Sequence, residues 1–230
     1  LIAESSPDCS FQVSGFPVSI NHFLLANILF LSSPVSGRRC RKKSEVLMRS
    51  GKGRFTNRQA LRTVLGIIGL LWLVLLLTLV IPSIKYLGIR PRTLIGLAGI
   101  LAAPLIHDGI IHCAANTMGI LILGFLFAGL EKQRAGYILI PIYLLSGLGP
   151  WVFGAANSIH IGASGVIYGL LGYLLTIGFF RRHFKTILLS ILVLVLYGGA
   201  LWGIFPSYGR FPISWEGHLS GFLAGVLVAW

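Results

Sequence analysis

After about residue 60 the chain alternates long apolar runs with short basic or proline-bearing stretches. Six runs read as membrane-spanning helices: 63–81, 109–130, 136–153, 163–180, 186–205 and 216–230. The first five hold about 18 to 22 residues, which at roughly 1.5 Å per residue crosses roughly 30 Å of hydrocarbon. The sixth reaches only about 15 residues before Trp230, so either the chain is cut short there or the last helix is incomplete. Between the first two runs lies an apolar stretch, 82–107, in which Pro82, Pro91 and Pro104 argue against one continuous helix. It is expected to lie in the outer interface, with Arg90 and Arg92 at headgroup level. The predicted fold class is therefore all-α, a polytopic bundle of six transmembrane helices over 63–230. Residues 1–62 read as a basic, disordered leader. Residues 9–37 carry no formal charge, and the apolar run Phe23 to Leu31 is short for a span. The chain opens on Leu1, whereas Met48-Arg49-Ser50-Gly51-Lys52-Gly53-Arg54 looks like an ordinary cytoplasmic leader, so residues 1–47 are expected to lie outside the functional protein.

Composition agrees with the pattern. Hydrophobic residues make up 55% and charged residues 11%, against about a quarter charged in soluble domains. Mean hydropathy is +0.85, so the solvent for this surface is the lipid bilayer. A net charge of +13 would suit nucleic acid, but most basic residues flank apolar runs, where they set orientation instead. No nucleic-acid partner is expected. Fifteen of the 19 lysines and arginines fall before span one or in the loops after spans two and four. Lys85, Arg90, Arg92 and Arg210 fall on the other side. Without the five between Arg38 and Lys43 the bias is still 10 to 4. The N-terminus is thus predicted to be cytoplasmic, in a multi-pass protein of the plasma membrane. Cys9, Cys40 and Cys113 show neither paired nor metal-ligand spacing, and neither metal nor cofactor is expected.

Polar groups within spans are costly and usually mark function. Here they are few: His112 and Asn116 near the start of span two, Ser164 at the start of span four, Glu216 and His218 at the start of span six. With a cytoplasmic N-terminus these three spans all run inward, so the sites share one depth just below the outer surface. His112 and Asn116, four apart, share a helix face. Gly162, Gly165, Gly169 and Gly172 on span four, and Gly217, Gly221 and Gly225 on span six, allow close helix contact in lipid. By themselves such glycines indicate only a packing interface. Serine and histidine at one level of the two helices indicate more.

A serine hydroxyl needs a base to take its proton, and histidine is the usual one. An acyl-transfer intermediate also needs donors for its oxyanion. Ser164 is the candidate nucleophile and His218 the candidate base. Asn116, His112 and the Ser164 backbone N–H, at a helix start, are candidate donors. Glu216 lies two residues from His218 and points elsewhere on a helix, so a dyad is predicted. Gly162-Ala163-Ser164-Gly165 is not the soluble-hydrolase elbow, because position 166 is Val. His107 reads as a hydrogen-bonded packing residue.

These residues resemble the rhomboid family of intramembrane serine proteases. The resemblance covers about residues 60–230 and rests on four patches. They are His107 to Asn116; Glu131 with Gly136; Gly162-Ala163-Ser164-Gly165 followed by Tyr168; and Gly217-His218 followed by Gly221 and Gly225. It implies a rhomboid-like bundle with Ser164 as nucleophile, His218 as base, and His112 and Asn116 as oxyanion donors. It also implies that Tyr168 packs on the His218 ring. The family's Trp-Arg pair in the first outer loop is missing; Ile89-Arg90-Pro91-Arg92 stands there, so no loop role carries over. Transmembrane proteins are the implied substrates, with small or helix-weakening residues near the outer end of their span. Oligomeric state is not legible.

The competing reading is an inactive rhomboid-like protein that binds membrane clients. Such proteins typically lose the serine or histidine, and both are present here. A transporter would place polar groups at mid-membrane. An aspartyl intramembrane protease needs two membrane aspartates, but only Asp8 and Asp108 exist, and the zinc motif His-Glu-x-x-His is absent.

Overall fold

A computed structural model describes residues 56–206 and 213–230. The described residues form eight α-helices joined by 3-10 turns: α1 Asn57–Val80, α2 Leu94–Ala102, α3 Ile110–Gly119, α4 Phe125–Glu131, α5 Ala135–Phe153, α6 Ser164–Arg181, α7 Phe184–Tyr197 and α8 Trp215–Ala229. There is no strand among them beyond a single antiparallel bridge between Ile89 and His160. The expected all-α polytopic class holds. Four helical stretches, 57–80, 110–153, 164–181 and 184–204, are long and apolar enough to cross a membrane by length and composition. The protein is an integral membrane protein.

Boundaries differ from expectation at two places. The first helix begins at Asn57, not 63, so residues 57–62 belong to it and not to a disordered leader. The reason is local: Gln59 N–H donates to the Thr56 hydroxyl at 3.3 Å, and Thr56 N–H donates to Gln59 Oε1 at 2.7 Å. This reciprocal cap starts a helix ahead of its apolar run. The remainder of the expected leader, 1–55, lies outside the described residues. The fifth helix, expected over 186–205, ends at Tyr197 and continues as a 3-10 turn over Gly198–Ile204.

A π-helical segment, Ile120–Gly124, joins α3 to α4. At Lys132 (φ 51°) the chain turns back through Lys132–Arg134 into α5. α6 is the central element, with Gly169 through Leu174, Ile177 and Gly178 all buried. α1 and α7 form the periphery: Leu73 is 53% and Val195 77% exposed, as for lipid-facing side chains.

Backbone contact between α6 and α8 fixes the centre. A Cβ on Gly221 would overlap the Gly165 carbonyl, and one on Gly225 the Gly169 carbonyl. A Cβ on Gly172 would overlap the carbonyl of Phe222. The glycine stripes are therefore a packing interface, and it is this interface that brings the starts of α6 and α8 together.

The opposite end is held by charge. Arg181, in the last turn of α6, pairs with Glu131 at 2.7 Å and donates to the Tyr173 hydroxyl at 3.1 Å. The Glu131 side chain is only 2% exposed. Arg181→Ala leaves that carboxylate buried without its cation. It is expected to cost about 3 kcal/mol, read as a lower thermal unfolding temperature in detergent, while Arg182→Ala, an exposed neighbour, should leave it nearly unchanged.

Candidate active site

Ser164 is the first residue of α6, and His218 lies in the first turn of α8. The Ser164 Oγ lies 2.9 Å from His218 Nε2. His218 Nδ1 lies 2.9 Å from the Gly203 carbonyl. A carbonyl only accepts, so Nδ1 carries the proton and Nε2 is left to accept the serine hydroxyl. The carbonyl occupies the place where a carboxylate stands in a soluble triad.

The Tyr168 ring stacks on the His218 ring, with centroids 4.0 Å apart and planes 6° from parallel. The Tyr168 hydroxyl donates to the Ala200 carbonyl at 2.7 Å. Two carbonyls of the 198–204 turn thus fix the imidazole, one directly and one through the tyrosine. Gly203 must be glycine here, because a Cβ would overlap the Tyr168 hydroxyl. Tyr168→Phe removes one hydrogen bond of about 1 kcal/mol and should lower turnover about fivefold. Tyr168→Ala removes the stacked ring as well and should lower it further, as measured by kcat on one substrate.

His112 and Asn116 lie on α3. The His112 ring faces the backbone of Gly162, two residues before Ser164: a Cβ there would stand 2.7 Å from His112 Nε2 and 3.7 Å from Asn116 Nδ2. Gly162 also has φ +111°, so glycine is required for both reasons. The Asp108 N–H points at His112 Nδ1, at a long 3.5 Å, which leaves Nε2–H turned toward Gly162. Asn116 Nδ2 donates to the His112 carbonyl at 3.1 Å. Of the supporting glycines, Gly165, Gly221 and Gly225 sit in the α6–α8 interface described above, and Gly162 lies under the His112 ring. His107 is fully buried, its ring edge-on to His112 at 5.0 Å and its Nδ1 3.2 Å from the Leu105 carbonyl.

A cavity of about 30 Å³ opens beside Ser164, lined among others by Ser146, His160, Ser214 and Gly217. This is room for one or two waters among polar groups. Lys85 and Asp108 form an ion pair. The Lys85 hydrogen bond and charge hold the Asp108 carboxyl below its ordinary value.

The sequence did not single out the Gly203 and Ala200 carbonyls, nor His160 and Ser214. The only signal was Gly198, Gly199 and Gly203 at the end of a span, a composition that loosens a helix.

The described residues define a helical membrane protein with a serine, a histidine and hydrogen-bond donors gathered at one level of the bundle. The Rhomboid domain profile matches residues 96–230, more than half of the chain. An uncharacterized protein of Mycobacterium tuberculosis is 41% identical over 175 residues, 73% of each chain. A Mycobacterium leprae relative is 38% identical over 175 residues, 73% of this chain and 69% of the relative. RHOMBOID-like protein 4 of Arabidopsis thaliana is 31% identical over 137 residues, 56% of this chain and 32% of that protein. The chain belongs to the rhomboid family, whose members are generally intramembrane serine proteases.

Proposed function

We propose that the chain is an intramembrane serine endopeptidase that cuts transmembrane proteins with a Ser164–His218 dyad. The observation that carries this reading is the 2.9 Å contact between Ser164 Oγ and His218 Nε2, with Nδ1 committed to Gly203.

The Ser164 oxygen attacks the scissile carbonyl carbon while its proton passes to His218 Nε2. The oxyanion meets the His112 Nε2–H, the Asn116 amide and the Ser164 N–H. The carbon–nitrogen bond then breaks, and the amine leaves with the proton from His218. A water enters, gives its proton to the same nitrogen and attacks the ester. The acid product leaves as Ser164 regains its proton. Helical peptide bonds are shielded by their own hydrogen bonds, so the substrate must unwind first. Small or helix-weakening residues near the outer end of its span would assist.

In this reading the N-terminus lies in the cytoplasm and the dyad near the outer face of the plasma membrane. Lys132, Arg134, Arg181, Arg182 and Lys185 support this orientation: all flank the helix ends opposite Ser164. Lys85, Arg90 and Arg92 lie in the loop at the Ser164 end, where Ile89 pairs with His160.

The test is proteoliposomes holding the full chain and a model single-span substrate with a helix-weakened outer end. Cleavage by the parent and none by Ser164→Ala is the expected result. Equal cleavage by both would refute the reading.

A further inference from the structure

We propose that His160 is a positioning residue for the dyad, tying the approach to Ser164 to the cap of the helix that carries His218. The inference rests on the proteolytic reading above.

His160 lies four residues before Ser164, in the loop between α5 and α6. Its backbone is anchored first: Ile89 N–H donates to the His160 carbonyl, and His160 N–H to the Ile89 carbonyl, both at 2.9 Å. Its ring is then held at both nitrogens. Nε2 lies 2.8 Å from the Ser158 hydroxyl, and Nδ1 2.7 Å from the Ser214 hydroxyl. The Ser158 hydroxyl spends its own proton on the Ala155 carbonyl at 2.7 Å. The ring must therefore donate from Nε2 to Ser158, and the neutral ring then accepts at Nδ1 from Ser214. Burial favours the neutral ring against the pull of the Glu216 carboxylate. Space is closed around it as well: a Cβ on Gly154 would stand 2.5 Å from His160 Nε2.

Ser214 is the other half of the tie. It stands at the N-cap of α8, and its carbonyl accepts from the N–H groups of Gly217 and His218, both at 3.1 Å. A serine at this position ordinarily turns its hydroxyl onto the helix's own free N–H groups. Here no such side-chain cap forms; the hydroxyl is committed to His160. A short path of hydrogen bonds thus runs from the Ile89 bridge through His160 and Ser214 to the backbone of His218. The same imidazole sits in the segment that delivers Ser164. Both lengths of chain that set the Oγ–Nε2 distance meet at one ring, and His160, Ser164, Ser214 and Gly217 line the same cavity. The His160 ring spends its hydrogen bonds on Ser158 and Ser214 and not on Ser164, so it acts by holding others.

The experiment uses the full chain in detergent, with the variants His160→Phe, His160→Asn, Ser214→Ala and the double variant His160→Phe/Ser214→Ala. Two readouts are taken. One is the rate of fluorophosphonate labelling of Ser164, which needs no transmembrane substrate. The other is amide hydrogen exchange over residues 213–218. His160→Phe keeps a ring but loses both hydrogen bonds. It is expected to slow labelling about tenfold, since small misplacements of reacting groups are costly, and to speed exchange at the α8 cap. His160→Asn, whose side-chain oxygen can replace Nδ1 as acceptor, should recover labelling to within about threefold. Ser214→Ala should match His160→Phe, and the double variant should be no worse than either, as for two residues in one contact. On a transmembrane substrate kcat should fall with KM unchanged. Labelling and exchange both within twofold of the parent in His160→Phe, or additive losses in the double variant, would overturn the proposal. If the parent itself is never labelled, the proteolytic reading fails, and exchange at 213–218 still decides the tie: faster in His160→Phe upholds it, unchanged removes it.

Discussion

Ser164→Ala and His218→Ala are each expected to lower cleavage of a transmembrane substrate by at least about 10³-fold while leaving insertion and thermal unfolding intact. The size of the effect follows from the geometry. Without the hydroxyl no ester can form. Without the imidazole the hydroxyl keeps its proton, because His218 Nε2 lies 2.9 Å away and is the base the Ser164 contact provides. Residues that act as one unit give non-additive losses, so the double variant should be no worse than either single one. Gly203 contributes through its backbone carbonyl, which no side-chain substitution removes. An activity loss there would report on crowding of Tyr168 instead. The check is a cleavage time course with all variants inserted at equal amounts.

Gly221→Val is expected to give the second largest effect, on stability and activity together. The new side chain would grow into the Gly165 carbonyl, one residue past Ser164, at the point where α6 and α8 touch. Overpacking of this kind costs about 1–3 kcal/mol, or roughly 2–12 °C of unfolding temperature for a chain of this size. The helices can relieve the clash only by separating, and that moves the serine from the histidine. A displacement of about 1 Å can cost about 10²-fold in rate. Gly66→Val is the control: Gly66 lies on α1 with open space around it, and activity should survive there. Thermal unfolding and turnover measured on the same samples check both halves.

The helices were legible because runs of about 20 apolar residues have no stable home except lipid. The shared depth of His112, Ser164 and His218 followed from spans two, four and six running in one direction, and the charge bias of the loops gave its expected side. Two features escaped for physical reasons. The start of α1 lies in a polar run, Asn57 to Arg62, that hydropathy assigns to water; only the Thr56–Gln59 cap reveals it. The partner of His218 Nδ1 is a backbone carbonyl, and every residue has one, so the sequence shows that the nearby acid, Glu216, points elsewhere but not what stands in its place. The tie through His160 is hidden likewise. A histidine and two serines in loops, 54 residues apart at the 160–214 contact, carry no signature until the fold closes over them.

The central claim is that the hydroxyl at 164 is made nucleophilic by the ring at 218. It is tested most directly by treating the membrane-embedded chain with a fluorophosphonate and mapping the adduct by mass spectrometry. The account predicts one modified residue, Ser164, and its disappearance in His218→Ala. Labelling of Ser164 at the parent rate in His218→Ala, or an adduct on another serine alone, would contradict it.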